Sequence, residues 1–195
     1  MINFINNQKN TFLAITAMVV GVIFIDIHGL IVKYLGGEYS TIQLALFRNT
    51  FAIIPLILLL IYNKESSDLF KNLSNKFILF CFIRGSCFLA INILYYIAIN
   101  NMEFATASTL TFSSTFFIVI LSIFFLGDKV GIYRWSAVII GFVGVVMIMR
   151  PNSSIFSYYS ILPILVAFLW AVQVIILKFI PDNFSTGKIQ FYSLF

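Results

Sequence analysis

The chain has 195 residues, 61% of them hydrophobic and only 10% charged, with a net charge of +5 and a mean hydropathy of +1.03. Soluble domains are about half apolar and a quarter charged, so the excess apolar side chains face lipid and the chain belongs in a bilayer. All but two of its basic residues lie between apolar runs or at their ends and form no single patch, which removes nucleic acid from the expected partners.

A helix that crosses a bilayer needs about 20 mostly apolar residues. In chain order such runs are predicted at 11–33, 42–62, 77–99, 104–126, 134–150 and 158–180, and a seventh opens near Ile189. The fifth is short and leans on Trp135 and Arg150 as interfacial anchors. Apolar character runs all round these segments, against both alternating barrel strands and one-faced surface helices. The predicted fold class is therefore all-α, a polytopic transmembrane helix bundle. Before the first run stands one lysine, Lys9, without the basic start and small-residue cleavage site of a removable leader, so 11–33 is read as a retained helix after a cytoplasmic segment 1–10.

The connections are short: "GGEY" at 36–39, "NNME" at 100–103 and "GDKVG" at 127–131 make successive helices antiparallel neighbours. The longest loop, 63–76, is mixed in charge. With the N-terminus inside, the inner segments hold Lys9, Lys64, Lys71, Lys76, Lys129, Arg134, Lys178 and Lys188, and the outer ones only Lys33 and Arg150; Arg48 and Arg84 fall within spans. The positive-inside rule then puts the N-terminus in the cytoplasm.

"KYLGGEYST" at 33–41 and "KFIPDNFST" at 178–186 each close one apolar span and lead into the next. Five spans separate the two, so a second copy enters the membrane in the opposite sense, the inverted-repeat architecture of many secondary transporters. The chain stops inside a new apolar run, "IQFYSLF", and the expectation is a fragment that lacks most of a second repeat.

Charge inside a span is costly and is by default functional. Asp26 lies about 12 Å into the first helix and Arg48 about 9 Å into the second from the same side. The matching depths invite an ion pair, which either fixes the two helices or lines a substrate path. Lys33 is expected to snorkel at the interface. His28 points about 200° away from Asp26 around the helix and is read as a satisfied or lipid-edge histidine. Arg84 lies deep in the third span without an acid at its level, free to snorkel, to hold a lipid headgroup or to meet an anionic substrate group.

Ser108, Thr111, Thr115 and Ser122 form a hydroxyl stripe at i, i+3, i+7 and i+14 of the fourth span. Such stripes serve close helix packing and equally a cavity wall. Ala137 and Gly141 form a small-xxx-small pair for packing. Cys81 and Cys87 sit on different faces of one helix, with no CxxC, so neither a disulfide nor a metal site is indicated. A single histidine excludes His-based metal clusters. No Walker A, Gly-x-Ser-x-Gly or His-Glu-x-x-His pattern occurs, which leaves ATP use and membrane hydrolases unsupported.

The stretch "LSIFFLGDKVGIYRWSAVIIGFVGVVMIMRP" (121–151) resembles the end of an EamA-type repeat of the drug/metabolite transporter superfamily, through Gly127, Asp128, Arg134, Trp135, Gly141, Gly144, Val145 and Pro151. Upstream, 26–49 is similar to that family's first two helices, with Asp, Lys and Arg in place, and 82–117 to its third and fourth. The resemblance implies a first five-helix repeat over 11–151, the start of a second, inverted one over 158–195, ten helices in the whole protein, cytoplasmic termini and a central cavity. Two prolines usual in the fourth helix are Glu103 and Thr115 here. Within the superfamily the chain looks most like the S-adenosylmethionine uptake branch, which adjoins amino-acid and metabolite exporters.

The reading is a bacterial inner-membrane secondary carrier of small polar metabolites, not an enzyme, with no cofactor. Its partners are a small-molecule substrate, the lipid bilayer and, as an allowance, a second copy in a homodimer. Asp26, Arg48, Arg84, Ser108, Thr111 and Thr115 are the substrate-path candidates, and Asp26 or Glu103 the carrier of a coupling proton. An exporter of drugs or amino acids shares every feature, a membrane-embedded enzyme or scaffold is the reading from another class, and an inactive truncated half stands beside them.

Overall fold

Within hydrocarbon every backbone N–H and C=O needs a partner inside the protein, and helices supply one segment by segment. The computed structural model describes residues 2–63, 65, 69–70, 73–128, 130–149, 158–181 and 184–194, without the side chains of 2–10 and 148–149, and those residues hold helices and no strand. Lys64, Lys71, Lys129, Arg150, Pro151, Asp182 and Asn183, together with the side chain of Lys9, lie outside the described residues.

The helices are α1 (Ile2–Leu35), α2 (Thr41–Tyr62), α3 (Asn75–Asn101), α4 (Phe104–Thr111), α5 (Ser114–Leu126), α6 (Ile132–Met149), α7 (Ile161–Phe179) and α8 (Thr186–Leu194), with a 3-10 turn, Tyr158–Ser160, before α7. Thr11–Leu35, Thr41–Tyr62, Asn75–Asn101, Phe104–Leu126 and Tyr158–Phe179 are long and apolar enough to cross a membrane, and Ile132–Met147 is a shorter apolar helix. They correspond to the six predicted runs. The first helix starts further upstream than the hydropathy suggested, at Ile2, because hydropathy marks the lipid-facing part of a helix and not its end.

The fourth predicted span is two helices. At Phe112 and Ser113 the backbone bonds shorten to i→i−3: Phe112 N–H donates to Thr109 O and Ser113 N–H to Leu110 O, each at 3.2 Å. Hydroxyls satisfy the carbonyls around the break, with Thr111 Oγ1 on Ser108 O and Ser113 Oγ on Leu110 O, both at 2.7 Å. Side-chain hydroxyls that bond back to their own helix disturb its pitch, so the run "STLTFSST" interrupts the span without a proline. Further on, α5 ends at Gly127, whose φ of +67° closes the helix in the left-handed region that favours glycine.

α3 packs against α1, α2, α4, α7 and α8. Near its Asn101 end, Val32, Leu44, Ala45, Tyr96, Ile99 and Ala107 form one buried cluster, with Leu35 packed on it. Near its Asn75 end, Phe77, Cys81, Ile180 and Ile189 form another, where Phe77 stacks on Phe184 at 4.1 Å. Leu35 and Ile180, like Leu44 and Ile189, stand 145 residues apart, the offset of the two repeated segments. The helix starts correspond as well: Ser40 Oγ accepts the Gln43 N–H at 3.3 Å to begin α2, and Ser185 Oγ accepts the Lys188 N–H at 3.2 Å to begin α8. The repeated segments thus hold α3 at its two opposite ends.

Candidate functional site

Polar side chains of the neighbouring helices meet α3 in two places. In the half toward Asn101, Tyr95 and Tyr96 are consecutive and point to different neighbours. Tyr95 hydroxyl meets Ser108 Oγ of α4 at 3.0 Å, and Tyr96 hydroxyl meets His28 Nε2 of α1 at 3.4 Å. The Arg48 guanidinium of α2 lies 4.8 Å from the centre of the Phe88 ring, a cation–π placement that lowers the cost of a charge in an apolar layer. Gly29 lets α1 come this close, since a Cβ there would stand 2.7 Å from the Phe104 ring. Beside Arg48, Asn49 Oδ1 is enclosed with no hydrogen-bond partner.

The expected Asp26–Arg48 ion pair is not formed among the described residues. α1 and α2 each lean on α3, with Gly29, Val32, Leu44 and Ala45 as their buried contacts. That rotation leaves Asp26 exposed and turns Arg48 onto Phe88. His28 is a satisfied histidine, one of the two expectations, although it faces the bundle and not its edge.

The second place is the half toward Asn75. Arg84 stands nine residues into α3, about 13 Å from the helix end. Both terminal nitrogens donate to Gln190 Oε1 of α8 at 3.3 Å, and Arg84 Nε is enclosed without a partner. Gln173 Nε2 of α7 donates to the Arg84 carbonyl at 3.3 Å. Gln173 and His28 are again 145 residues apart, so corresponding positions supply one polar contact to each half of α3. α8 comes close because residue 85 is glycine; a Cβ there would lie 2.6 Å from Ser193 O.

The other predicted residues fall elsewhere. Lys33 Nζ donates to Met102 O at 2.8 Å and ties the end of α1 to the α3–α4 turn. Glu103 occupies that turn, exposed, and accepts from Thr106 Oγ1 at 3.3 Å. Of the hydroxyl stripe only Ser108 reaches the α3 cluster. Thr111 and Ser122 bond back to their own helix carbonyls, and Thr115 is exposed beyond the break. Gly141 lies beneath the Phe116 ring, as packing requires, whereas Ala137 is exposed. Among the described residues, no three His, Cys, Asp or Glu side chains come together to hold a metal. Sequence reasoning missed Phe88, Tyr95, Tyr96, Gln173 and Gln190; polar atoms in mid-span were the available signal.

Residues 12–150 match the EamA-like transporter family, most of the chain. The chain belongs to that family. Among curated relatives of this EamA-family chain, a riboflavin transporter of Rhizobium johnstonii is 40% identical over 63 residues, 32% of this chain and 21% of that protein. A riboflavin transporter of Vibrio cholerae is 35% identical over 78 residues, 40% of this chain and 26% of its own. An S-adenosylmethionine uptake transporter of Rickettsia bellii is 26% identical over 161 residues, 83% of this chain and 54% of that protein. The matches thus span between about a fifth and about half of the relatives' own lengths. No solved structure matches. With membrane-length helices and family agreed, the chain is a multi-pass membrane member of the EamA-like transporter family.

Proposed function

We propose that this EamA-family chain is part of a bacterial inner-membrane secondary carrier that takes up a small polar metabolite by alternating access, with its N-terminus in the cytoplasm. The observation that carries this is the pair of polar clusters on one helix: Tyr96 and Arg84 are twelve residues apart on α3, about 18 Å, one toward each membrane face. A carrier needs polar contacts reachable from each side in turn, supplied by two repeats that rock against each other. On the charge count, the Asn101 half of α3 is the outer one and the Asn75 half the inner one.

In this reading Arg48 and Asp26 meet substrate from outside, Tyr95, Tyr96 and Ser108 offer neutral hydrogen bonds, Phe88 offers a ring face, and Arg84 receives substrate on the inner side. Asp26, exposed within its span, carries the coupling proton, since Glu103 lies in the turn at the mouth. The long match to an S-adenosylmethionine uptake transporter supports uptake of an amino-acid-bearing metabolite, and the riboflavin transporters make riboflavin the comparison compound.

The test is reconstitution in proteoliposomes and measurement of labelled S-adenosylmethionine, riboflavin and a small panel of amino acids, with and without a proton gradient. Saturable uptake of one compound, raised by the gradient, is the expected result. Efflux without uptake would reverse the direction, and no flux of any compound would overturn the carrier reading.

A further inference from the structure

Among the described residues, no acid pairs with the intramembrane charge at Arg84. α3, α7 and α8, which enclose it, contain no acidic residue. Glu65, outside them, sits against Gly187 at the start of α8, and its Oε2 has no hydrogen-bond partner. Arg84 is held instead by one neutral amide oxygen shared between two nitrogens at 3.3 Å. That is long beside the roughly 2.7–2.9 Å of a charge-assisted bond. Its Nε–H, on the edge that pairs with a planar two-oxygen acid, is enclosed and unused.

A guanidinium presents five donors in a fork that matches a carboxylate with two parallel bonds. Burying one opposite a neutral partner is costly, and an orphaned donor adds to the cost. Intramembrane ionisable side chains mark substrate and ion paths by default.

We propose that Arg84 is the inner-side binding residue for the carboxylate of the transported metabolite, and that Gln190 is a placeholder whose amide oxygen occupies the guanidinium until the carboxylate displaces it. This rests on the carrier reading and narrows its substrate class to compounds bearing a free carboxylate, which includes S-adenosylmethionine and excludes riboflavin. Because Arg84 and Gln190 come from α3 and α8, on either side of the repeat boundary, the exchange also loosens a contact between the two repeats as substrate arrives. Gln173, bonded to the backbone carbonyl of Arg84, positions the arginine without touching substrate.

The experiment has two arms, both on the protein in proteoliposomes. In the first, Arg84 is labelled with phenylglyoxal and the modified peptide is quantified by mass spectrometry. L-Methionine and S-adenosylmethionine should each slow labelling severalfold, whereas L-methioninamide and riboflavin should leave it unchanged. Equal protection by the amide, or none by either acid, would overturn the assignment. In the second, Gln190→Glu places a permanent carboxylate on Arg84. It should slow labelling as the ligands do and cut transport at least tenfold at unchanged membrane abundance. A Gln190→Glu protein that labels and transports as the wild type does would reduce Gln190 to a packing residue and overturn the proposal. Protection of Arg84 by methionine without any flux would instead leave the site standing and remove the carrier reading.

Discussion

Gly85→Ala tests the α3–α8 contact directly. A Cβ at residue 85 would meet the Ser193 carbonyl oxygen at 2.6 Å, and the obstacle is backbone, so no side chain can swing aside. Restoring an ordinary contact of 3.4 Å requires the helices to part by about 0.8 Å, which would stretch the neighbouring Arg84–Gln190 contact from 3.3 Å toward 4 Å and break it. Overpacking of this kind costs about 1–3 kcal/mol. Alanine also gains up to about 1 kcal/mol over glycine in helix propensity, which masks part of that cost. Gly144→Ala carries the same propensity gain with nothing within 4 Å of the new Cβ, and so serves as the reference. The difference between the two variants isolates the contact and, at about 2–4 °C per kcal/mol for a chain of this size, amounts to a melting temperature lower by about 2–12 °C for Gly85→Ala. Thermal unfolding of the detergent-solubilised protein followed by tryptophan fluorescence measures it. Equal melting temperatures for Gly85→Ala and Gly144→Ala would refute the close approach of α8 to α3.

Asp26→Ala and Arg48→Ala are expected to abolish uptake at unchanged membrane abundance, measured by flux and immunoblot; normal transport by both would remove them from the substrate path. Gly29→Leu places a side chain into the Phe104 ring and within reach of the Tyr95 hydroxyl, and should lower the melting temperature while Gly21→Leu, with open space around it, does not. Thr111→Val with Ser113→Ala removes two hydroxyl bonds of 2.7 Å at the α4–α5 break; at about 0.5–1.5 kcal/mol each, the pair should cost about 1–3 kcal/mol, and an unchanged melting temperature would show that the break does not depend on them. Cysteines at Asn101 and Asn75, on the opposite ends of α3, should react with an impermeant maleimide from outside and inside respectively; the reverse pattern would invert the proposed topology.

The six apolar runs and their short connections were legible because hydropathy and turn composition are local, and local chemistry is written residue by residue. The break in the fourth span was not, since a hydroxyl-rich helix looks continuous by hydropathy until its side chains choose their own carbonyls as partners. Asp26 and Arg48 were found at one depth, yet depth is one coordinate and rotation about the axis is another. Which face of α1 turns inward was set by Gly29 and Val32 against α3, a choice that depends on a helix forty residues downstream. Gln190 escaped notice for a related reason: alone it is an unremarkable amide, and its meaning comes from the arginine 106 residues away.

The correspondence at an offset of 145 residues bears on how a carrier of this kind would move. Lys33 at one end of α3 and Phe184 at the other lie in the similar stretches 33–41 and 178–186, and each anchors its stretch at an end of α3, through Met102 and Phe77 respectively. The anchors differ in kind: one is a charge-assisted bond of 2.8 Å to a carbonyl, the other a stacked ring pair at 4.1 Å. A stacked pair slides over tenths of an ångström at little cost, because dispersion is non-directional, whereas a short charge-assisted bond breaks when its geometry is lost. If the two repeats rock about α3, the first stretch therefore stays fixed to it and the second one moves. That places the yielding contact at α8, where Gly85, Ser193, Arg84 and Gln190 meet. Lys33→Met should accordingly disturb folding and abundance more than rate, while Phe184→Leu should change the rate of flux at near-normal abundance; the opposite assignment would locate the moving part in α1 and α2.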